Sequence, residues 1–293
     1  MRFSPQTAQR SVHASLNIAD HRRRAQTEPD GSRQANLWSP HARRQGRCAV
    51  PAGAVRAFGD PPIAERQVGE PPLGLPSMAV LHGKRILFDI DGTLIDSTAT
   101  VEGSWGTWAK EYGVDYEEVL KVCHGRRTED TVAQFVAPRQ RAAATARQLA
   151  LQELADLDGV VALPGVRRLL DALPPSHWAA VTSGPRSLMA ARLAAARLPA
   201  PQLLIGAEDV LTGKPNPESY LKAAAALGFE ARECLVVEDA PAGVGAGRAA
   251  GAQVLAVTTT HRAAELADAD VIVTDLSCVS VEVTDSGVAL LIA

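Results

Sequence analysis

Six apolar runs of strand length alternate with alanine- and leucine-rich helical stretches after residue 84, and this alternation constrains the fold more than any other feature. The runs are Arg85–Asp89, Trp178–Thr182, Leu203–Gly206, Cys234–Glu238, Val254–Val257 and Val271–Val273. Short apolar strands separated by helices are typical of a parallel sheet that is covered on both faces. The sequence therefore predicts an α/β protein, with its functional groups at the carboxyl ends of the strands.

Residues 97–162 interrupt this alternation. Helical patterns occur at Val101–Tyr112, Tyr116–Cys123, Glu129–Phe135 and Arg139–Leu157, and no clear strand lies among them. We expect a small helical insert between the first strand and the rest of the sheet, closed by the turn at Leu163–Pro164–Gly165.

The first 77 residues have a different composition. They hold 9 of the 19 prolines, 11 arginines, no lysine and 6 acids, which gives a net charge of +5, whereas the remainder carries −8. Without lasting helical or strand periodicity, residues 1–77 are expected to be disordered. A solvated tail, arginine patches that contact an acidic partner, sequence upstream of a start at Met78, and an organelle transit peptide all remain open.

Several classes of protein are excluded by what the chain lacks. The sequence contains no run of about 18 apolar residues, so no membrane span is expected. Its first 30 residues contain no apolar stretch of the kind found in a secretory signal, so secretion is not expected either. The four cysteines are scattered and form no CxxC pair, which favours a reducing cytoplasm. A net charge of −3 argues against nucleic acid as the main partner.

Two carboxylates follow the first predicted strand, in the sequence Asp89-Ile90-Asp91-Gly92-Thr93. Buried acids at a strand end are costly unless a positive group lies beside them. A Mg²⁺ ion with a phosphate group would meet that need, because Mg²⁺ prefers carboxylate, water and phosphate oxygens. A carboxylate can also attack phosphorus as a nucleophile. The alternative is a turn in which Asp96 or Ser97 caps the next helix; the whole motif favours chemistry.

Three further polar motifs occur later in the chain. Thr182-Ser183-Gly184 follows a strand and fits a phosphate seat of hydroxyl and backbone N–H groups. Lys214 lies in a Gly-Lys-Pro turn, and a lysine there can bind phosphate through the positive charge of its ammonium group. Glu238 and Asp239 end a second buried strand, and acids from two strands repel each other unless a cation separates them. Taken singly, helix caps and a surface lysine remain alternatives.

In this order, the four motifs make residues 84–275 resemble the haloacid dehalogenase (HAD) superfamily of phosphotransferases. The resemblance implies a Rossmann-like core at 78–96 and 163–293 with a helical cap at 97–162. It implies that Asp89 attacks phosphorus, while Asp91 protonates the leaving oxygen and then activates water.

The same resemblance implies a complete set of binding residues. The phosphoryl oxygens would be held by four residues: Ile90, Thr182, Ser183 and Lys214. The Mg²⁺ cofactor would be held by four acids: Asp89, Asp91, Glu238 and Asp239. Positive charge around the phosphoryl group is what phosphoryl transfer requires, so the residue types agree with the chemistry.

Departures from related enzymes narrow the expected activity. Asp91 weighs against the dehalogenases, where no leaving oxygen needs a proton, and against phosphonatases, which use a cap lysine. Phosphomutases of the β-phosphoglucomutase type resemble the chain more closely. They carry a histidine where Val101 stands and an arginine where Thr128 stands. Both differences favour hydrolysis over mutase cycling.

The segment from Cys123 to Asp130 resembles the cap loop of 2-deoxyglucose-6-phosphate and glycerol-phosphate phosphatases. Four of its residues are expected to face the substrate: His124, Gly125, Arg126 and Arg127. The alternative is a pair of solvated arginines at the start of a helix. Trp105 and Trp108 share one helix face and are expected to pack in the core of the cap rather than stack on a sugar.

The sequence thus predicts a cytoplasmic Mg²⁺-dependent phosphatase for a small sugar or polyol phosphate, with no nucleic-acid or membrane partner. A sugar phosphomutase and a non-catalytic scaffold with a relic site are the alternatives. The identity of the sugar and the oligomeric state stay open. The C-terminal stretch from Ser280 is expected to form one or two short strands, without an assigned role.

Overall fold

A computed structural model describes residues 79–155 and 157–293. The predicted disordered tail at 1–77 lies outside the described residues. The strands are β1 (Ala79–Gly83), β2 (Ile86–Phe88), β3 (Ile95–Asp96), β4 (Val161–Ala162), β5 (Trp178–Val181), β6 (Leu204–Ile205), β7 (Leu235–Glu238), β8 (Gln253–Val257), β9 (Val271–Val273), β10 (Val279–Thr284) and β11 (Gly287–Ile292).

The α-helices are α1 (Thr98–Tyr112), α2 (Tyr116–Cys123), α3 (Thr128–Phe135), α4 (Arg141–Leu154), α5 (Val166–Asp171), α6 (Arg186–Ala195), α7 (Glu218–Ala226) and α8 (Pro241–Ala249). Short 3₁₀ turns occur at Pro138–Gln140, Pro175–His177, Ala207–Asp209, Ala231–Glu233, Ala263–Leu266 and Leu276–Cys278. None of the described helices is long and apolar enough to cross a membrane.

Six strands form a parallel sheet in the order β6-β5-β2-β7-β8-β9. The predicted α/β class is therefore confirmed. Strand β2 lies between β5 and β7, with Ile86 in register with both Trp178 and Leu235. Because these three strands run in the same direction, the polar residues after them meet at one edge of the sheet.

The side chains of β2 alternate between two hydrophobic clusters. Ile86 and Phe88 pack on the face that is covered by α5 and α6, whereas Leu87 packs on the face that is covered by α7 and α8. All three are fully buried, and burial of such a side chain contributes about 1.5–3 kcal/mol. The sheet is thus fixed from both sides, and the residue after Phe88 is held at the sheet edge.

Helices α1 to α4 pack around a hydrophobic cluster of their own. Trp105 and Trp108 form its centre in an edge-to-face contact with ring centroids 5.3 Å apart. The indole N–H of Trp108 donates to the backbone oxygen of Ala144 at 3.0 Å, so its one polar group is satisfied. The predicted packing of the two tryptophans in the core of this helical segment is confirmed.

The expectation that residues 97–162 contain no strand is wrong at one point. Val161–Ala162 forms β4 and pairs antiparallel with Ile95–Asp96, which forms β3. Each strand has only two residues, too few to produce a detectable alternation. The pairing joins the two chain segments that lead into and out of the helical segment.

A second, antiparallel sheet has the order β1-β11-β10. The two predicted C-terminal strands are therefore confirmed as β10 and β11, while β1 was missed. Its sequence, Ala79–Gly83, is short and half-buried, and it becomes a strand by pairing with β11 some 200 residues later. Buried Leu290 and Ile292 on β11 join the core on the α5 face.

Candidate active site

Three carboxylates converge where β2 and β7 end. Asp89 follows β2, Glu238 ends β7, and Asp239 follows it. All three are buried, and one ligand oxygen from each lies within 4.8 Å of the others. Adjacent parallel strands therefore bring together the acids that the sequence predicted to share a site.

Lys214 places its ammonium group between two of these carboxylates. Its Nζ lies 2.6 Å from Asp89 Oδ1 and 2.6 Å from Glu238 Oε1, and it also donates to the backbone oxygen of Val181 at 3.2 Å. Burial alone would lower the pKa of Lys214, but the two carboxylates outweigh burial and raise it. Lys214 is therefore a fixed positive charge at the floor of the site.

Tyr220 on α7 belongs to the same buried network. Its hydroxyl donates to Glu238 Oε1 at 2.8 Å. The other oxygen of Glu238 accepts from the backbone N–H groups of Asp239 at 3.0 Å and Ala240 at 3.3 Å. With Lys214, four donors hold this carboxylate, so its orientation is fixed.

Hydroxyl groups from both sides hold Asp239. Thr93 donates to Oδ1 at 3.1 Å, and Thr260, in the loop after β8, donates to Oδ2. Burial is the main cause that raises the pKa of Asp239 to about 7, and the neighbouring Glu238 adds to it. Gly92 has a φ of +85° and a Cβ there would collide with the Asp239 carboxylate, so glycine is required.

The cluster carries more negative charge than its protein partners neutralise. Burial raises the pKa of Asp89 well above its usual value, with Lys214 opposing and Glu238 and Asp239 adding to the rise. Three buried carboxylates face one ammonium group, which leaves two negative charges uncompensated when all are ionised. Hard oxygen donors that are this close and this charged fit a divalent cation.

Asp91 points away from this cluster. Its Oδ2 lies 2.8 Å from Nη1 of Arg192 on α6, and its Oδ1 accepts a hydrogen bond from Ser97 Oγ at 2.6 Å. Asp91 is predicted from the sequence to be a metal ligand, but its carboxylate is not part of the three-acid group. In this structure Arg192 and Ser97 hold its two oxygens.

The Thr182 motif lies beside Asp89 at the end of β5. Thr182 Oγ1 accepts a hydrogen bond from the backbone N–H of Gly184 at 3.1 Å. Ser183 Oγ donates to the backbone oxygen of Gly125 at 2.9 Å, which links the core to the α2–α3 loop. The side chain of Ile90 is fully buried in the core, so only its backbone can face the site.

A cavity of about 60 Å³ lies between the sheet edge and the helical segment, with room for a few water molecules. Its lining includes seven of the predicted site residues: Asp89, Asp91, Thr182, Ser183, His124, Gly125 and Arg126. Lys214, Glu238 and Asp239 lie beneath it in the buried network. Residues of the α2–α3 loop therefore line the same cavity as Asp89 and Asp91.

Gly125 brings that loop closest to the core. Its φ is +71°, and a Cβ at this position would lie 2.7 Å from the Cβ of Ala240. Arg127, two residues after Gly125, does not line the cavity. Its guanidinium instead pairs with Asp130 at 2.8 Å and donates to the backbone oxygen of Val210 at 3.3 Å. The expectation that Arg127 contacts substrate has no support in this geometry.

His124, in the same loop, also lines the cavity. Its ring meets that of His261 edge-on, with centroids 6.0 Å apart, and its Nε2 is 4.0 Å from Glu102 Oε1. Burial lowers the pKa of His124, and the nearby His261 lowers it further. His124 therefore faces the cavity as a neutral ring near pH 7.

Residues 84–251 match the sequence profile of the family described as "Hydrolase: haloacid dehalogenase-like hydrolase". The chain belongs to this family. The match spans more than half of the chain and includes all four motifs, so the resemblance that the motifs predicted is confirmed.

Curated relatives of this haloacid dehalogenase-like hydrolase are similar over most of its described part. Hexitol phosphatase A of Escherichia coli is 40% identical over 70% of this chain and 96% of its own length. Glycerol-1-phosphate phosphohydrolase 1 of Saccharomyces cerevisiae is 37% identical over 59% of this chain and 74% of its own. β-Phosphoglucomutase of Mycobacterium bovis is 30% identical over 70% of this chain and 93% of its own length.

Three residues that hydrogen-bond to the acids of this site were not predicted from the sequence. Tyr220, Thr260 and Arg192 contact Glu238, Asp239 and Asp91, respectively. Each lies on a helix or loop away from the four motifs. The only signal in the sequence is that Tyr220 and Arg192 fall on the buried faces of α7 and α6, where a polar group needs a partner.

Proposed function

We propose that this protein is a Mg²⁺-dependent phosphatase that hydrolyses a small sugar or polyol phosphate through an aspartyl-phosphate intermediate. The observation that carries the proposal is the ammonium group of Lys214, held 2.6 Å from both Asp89 and Glu238 beneath a cavity that a loop covers. The relatives named as hexitol and glycerol-phosphate phosphatases support this substrate class.

The phosphoryl group would bind above Lys214. Thr182 would supply a hydroxyl donor, and Ser183, whose hydroxyl donates to Gly125, would supply its backbone N–H. The backbone N–H groups of Ile90 and Asp91 would complete the set of donors. Asp89, Glu238 and Asp239 would hold Mg²⁺, which supplies positive charge to the phosphoryl oxygens when bound. Asp91 would contribute to the metal site through its backbone, because its side chain is paired with Arg192.

In the first half-reaction Asp89 attacks phosphorus. Lys214 engages Oδ1, while Oδ2 accepts no hydrogen bond from the described residues and is free to attack. The bond from phosphorus to the ester oxygen breaks as the new bond to Asp89 forms. Asp91, in its protonated form, gives its proton to the departing alkoxide, which leaves as an alcohol.

In the second half-reaction Asp91, now ionised, takes a proton from water. The hydroxide oxygen attacks phosphorus, the bond from phosphorus to Asp89 breaks, and inorganic phosphate leaves. Asp89 regains its negative charge beside Lys214, and Asp91 regains its proton. One ester and one water molecule are consumed, and every protein group returns to its starting state for another turnover.

We further propose that residues 97–162 act as a cap over the core at 78–96 and 163–293, with hinges near Ser97 and Leu163. The cavity is lined both by core residues such as Asp89 and by residues of this helical segment such as His124, so a movement of the segment would open or close it. The contacts from Ser183 to Gly125 and from Arg127 to Val210 would form as it closes. Closure would exclude bulk water.

The phosphomutase alternative is disfavoured by two cavity residues. Val101 and Thr128 both line the cavity, at the positions where mutases carry a histidine and an arginine. Neither side chain can replace the imidazole or the guanidinium of a mutase. The scaffold alternative is disfavoured because Asp89, Lys214 and Asp239 form one intact network.

A cytoplasmic location is also part of the proposal. Cys123 and Cys234 form no disulfide bond within the part of the chain that the structure describes. Burial raises the pKa of Cys123 to about 12 and that of Cys234 to about 11, so neither is a reactive thiolate. Unpaired and inert thiols are typical of a reducing compartment.

The deciding experiment measures phosphate release by the full chain from hexitol, glycerol, hexose and nucleoside monophosphates, with and without Mg²⁺. We expect Mg²⁺-dependent turnover of one sugar or polyol group and its loss in Asp89→Asn. Isomerisation of a hexose phosphate without phosphate release would favour the mutase. A folded, metal-loaded protein that does neither would support the scaffold.

A further inference from the structure

Arg192 is a buried cation in the cavity wall that no motif accounts for. It lies on α6, is only 2% exposed and lines the cavity. Its Nη1 lies 2.8 Å from Asp91 Oδ2. Its Nε and Nη2 are buried and have no hydrogen-bond partner in the part of the chain that the structure describes.

Such a side chain needs an explanation. A guanidinium group has five N–H donors, and burying donors without an acceptor is unfavourable. Most buried polar groups in folded proteins are paired. Arg192 borders the cavity, although Nε and Nη2 themselves are covered in this structure. A shift of the side chain would let an acceptor in the cavity pair with these two donors where the chain itself does not.

The partners already present indicate which substrate oxygen this acceptor is. The phosphoryl group has its own cation in Lys214, and Nη1 of Arg192 already donates to Asp91. The acceptor for Nε and Nη2 is therefore assigned to another oxygen of the substrate. A neutral hydroxyl oxygen, with two lone pairs, matches two neighbouring N–H donors.

The position of Asp91 locates that hydroxyl on the substrate. If Asp91 protonates the leaving oxygen, as proposed above, then Arg192 lies one contact away from the ester oxygen. The nearest other oxygen of a polyol phosphate is the hydroxyl on the carbon next to the ester carbon. Met189 and Trp105 supply apolar walls to the same cavity, and these suit the C–H groups of a carbon chain.

We propose that Arg192 binds this vicinal hydroxyl through Nε–H and Nη2–H, and thereby selects phosphate esters that carry a hydroxyl on the adjacent carbon. The inference rests on the proposed phosphatase function. A site that is built to hydrogen-bond a substrate hydroxyl discriminates strongly against an analogue without it, because its donors are then left unpaired.

Two matched substrates test the inference. Glycerol 1-phosphate has the vicinal hydroxyl, and 3-hydroxypropyl phosphate lacks only that group. For the wild type we expect kcat/KM at least about tenfold higher for glycerol 1-phosphate. Arg192→Lys keeps a positive charge beside Asp91 but removes the planar pair of donors. We expect the ratio of the two kcat/KM values to fall to about one.

Arg248→Lys is the matched control. Arg248 also pairs with a carboxylate, since its Nη1 lies 2.7 Å from Asp270 Oδ1, but it does not line this cavity. We expect the substrate ratio of Arg248→Lys to equal that of the wild type. Thermal unfolding of both variants reports whether each remains folded.

Equal losses for both substrates in Arg192→Lys would overturn the inference, because they would assign Arg192 to holding Asp91 alone. If the wild type releases phosphate from neither ester nor from any sugar or polyol phosphate named above, the proposed function fails separately. Calorimetric binding of both esters to Asp89→Asn, with and without Arg192→Lys, then decides the inference without turnover. A preference for glycerol 1-phosphate that needs Arg192 supports it, and a ratio that Arg192→Lys leaves unchanged overturns it.

Discussion

The hydroxyl of Tyr220 donates a 2.8 Å hydrogen bond to Glu238 Oε1, and neither residue is exposed to solvent. Burial raises the pKa of the Tyr220 hydroxyl well above its usual value, so it stays a donor at any working pH. The same Glu238 oxygen receives Lys214. Through Tyr220, helix α7 thus orients the carboxylate of Glu238, and this carboxylate in turn holds Lys214 in place.

We expect Tyr220→Phe to lower the free energy of unfolding by about 1.5–3 kcal/mol, because it removes a donor from a buried carboxylate. Urea unfolding at pH 7 measures this change. Tyr112→Phe removes a hydroxyl from the aromatic cluster of the helical segment, away from Glu238, and should change the value by less than about 0.5 kcal/mol. Equal effects of the two variants would contradict the role of Tyr220.

Lys214→Met tests the central cation. It leaves the buried carboxylates of Asp89 and Glu238 without their ammonium partner, which costs about 3–5 kcal/mol of stability. It also removes charge stabilisation of the phosphoryl group, so kcat should fall by about 10²–10³-fold. Unfolding curves and initial rates give the two numbers.

Lys222→Met is the control for this substitution. Lys222 pairs with Glu218 at 2.7 Å on the exposed side of α7, where an ion pair contributes about 0–1 kcal/mol. We expect its activity to match that of the wild type. A large loss of stability in both variants would indicate a general sensitivity of this region rather than a special role of Lys214.

The three-acid cluster predicts that Mg²⁺ stabilises the folded chain. Binding to the folded state alone adds about 2.7 kcal/mol at a metal concentration of 100 times Kd. The rise in Tm on adding Mg²⁺ should vanish in Asp239→Asn. It should persist in Asp270→Asn, whose buried carboxylate pairs with Arg248 away from the cluster. This readout does not depend on any substrate.

The raised pKa of Asp239, about 7, gives this stabilisation a pH dependence. Between about pH 4 and pH 7 the folded chain holds a proton that the unfolded chain releases. Stability without metal should therefore fall as pH rises through this window, and Asp89, whose pKa burial also raises, adds a slope of the same sign. Because metal needs ionised carboxylates, the Tm increase with Mg²⁺ should grow as pH rises through about 7.

Melting curves at several pH values between 5 and 8, with and without Mg²⁺, check both slopes. Asp239→Asn should flatten the metal-free slope. A metal effect that is constant across this range would contradict the assignment of these acids as ligands.

Much of the site could be predicted from sequence because its residues follow strands. A parallel sheet places consecutive strand ends at one edge, so Asp89, Thr182 and Glu238 are close in space wherever the strands are recognised. The α/β class followed from the same pattern. Lys214 was identifiable because its Gly-Lys-Pro turn matches a known motif at the expected place in the order.

The remaining contacts depend on packing that no local pattern encodes. Tyr220 and Arg192 reach the site only because α7 and α6 pack on opposite faces of the sheet. Arg127 is another example: in this structure its guanidinium pairs with Asp130, three residues later, and its contact with substrate stays a prediction. Strands β1, β3 and β4 exist through pairing with distant segments. Strands β3 and β4 have two residues each, too few for a periodic signal, whereas β1 has five residues but only Leu81 among them is buried.

The close approach of the α2–α3 loop to the core predicts a specific effect of Gly125→Ala. The residue has a φ of +71°, and an added methyl group would lie 2.7 Å from the Cβ of Ala240. The loop would have to withdraw from the core, which would move His124 and Arg126 with it. A displacement of about 1 Å at an active site can cost about 10²-fold in rate.

Gly113→Ala separates this steric effect from backbone strain. Gly113 has a φ of +65°, but a Cβ there meets nothing within 4 Å. Both substitutions force alanine into the left-handed region at a cost of about 1–2 kcal/mol, so both should lower Tm, and Gly125→Ala should lower it further because of its clash with Ala240. Only Gly125→Ala should lower kcat/KM by tenfold or more. If Gly113→Ala lost as much activity, strain in the helical segment would explain both, and the loop would not need to reach the core for catalysis.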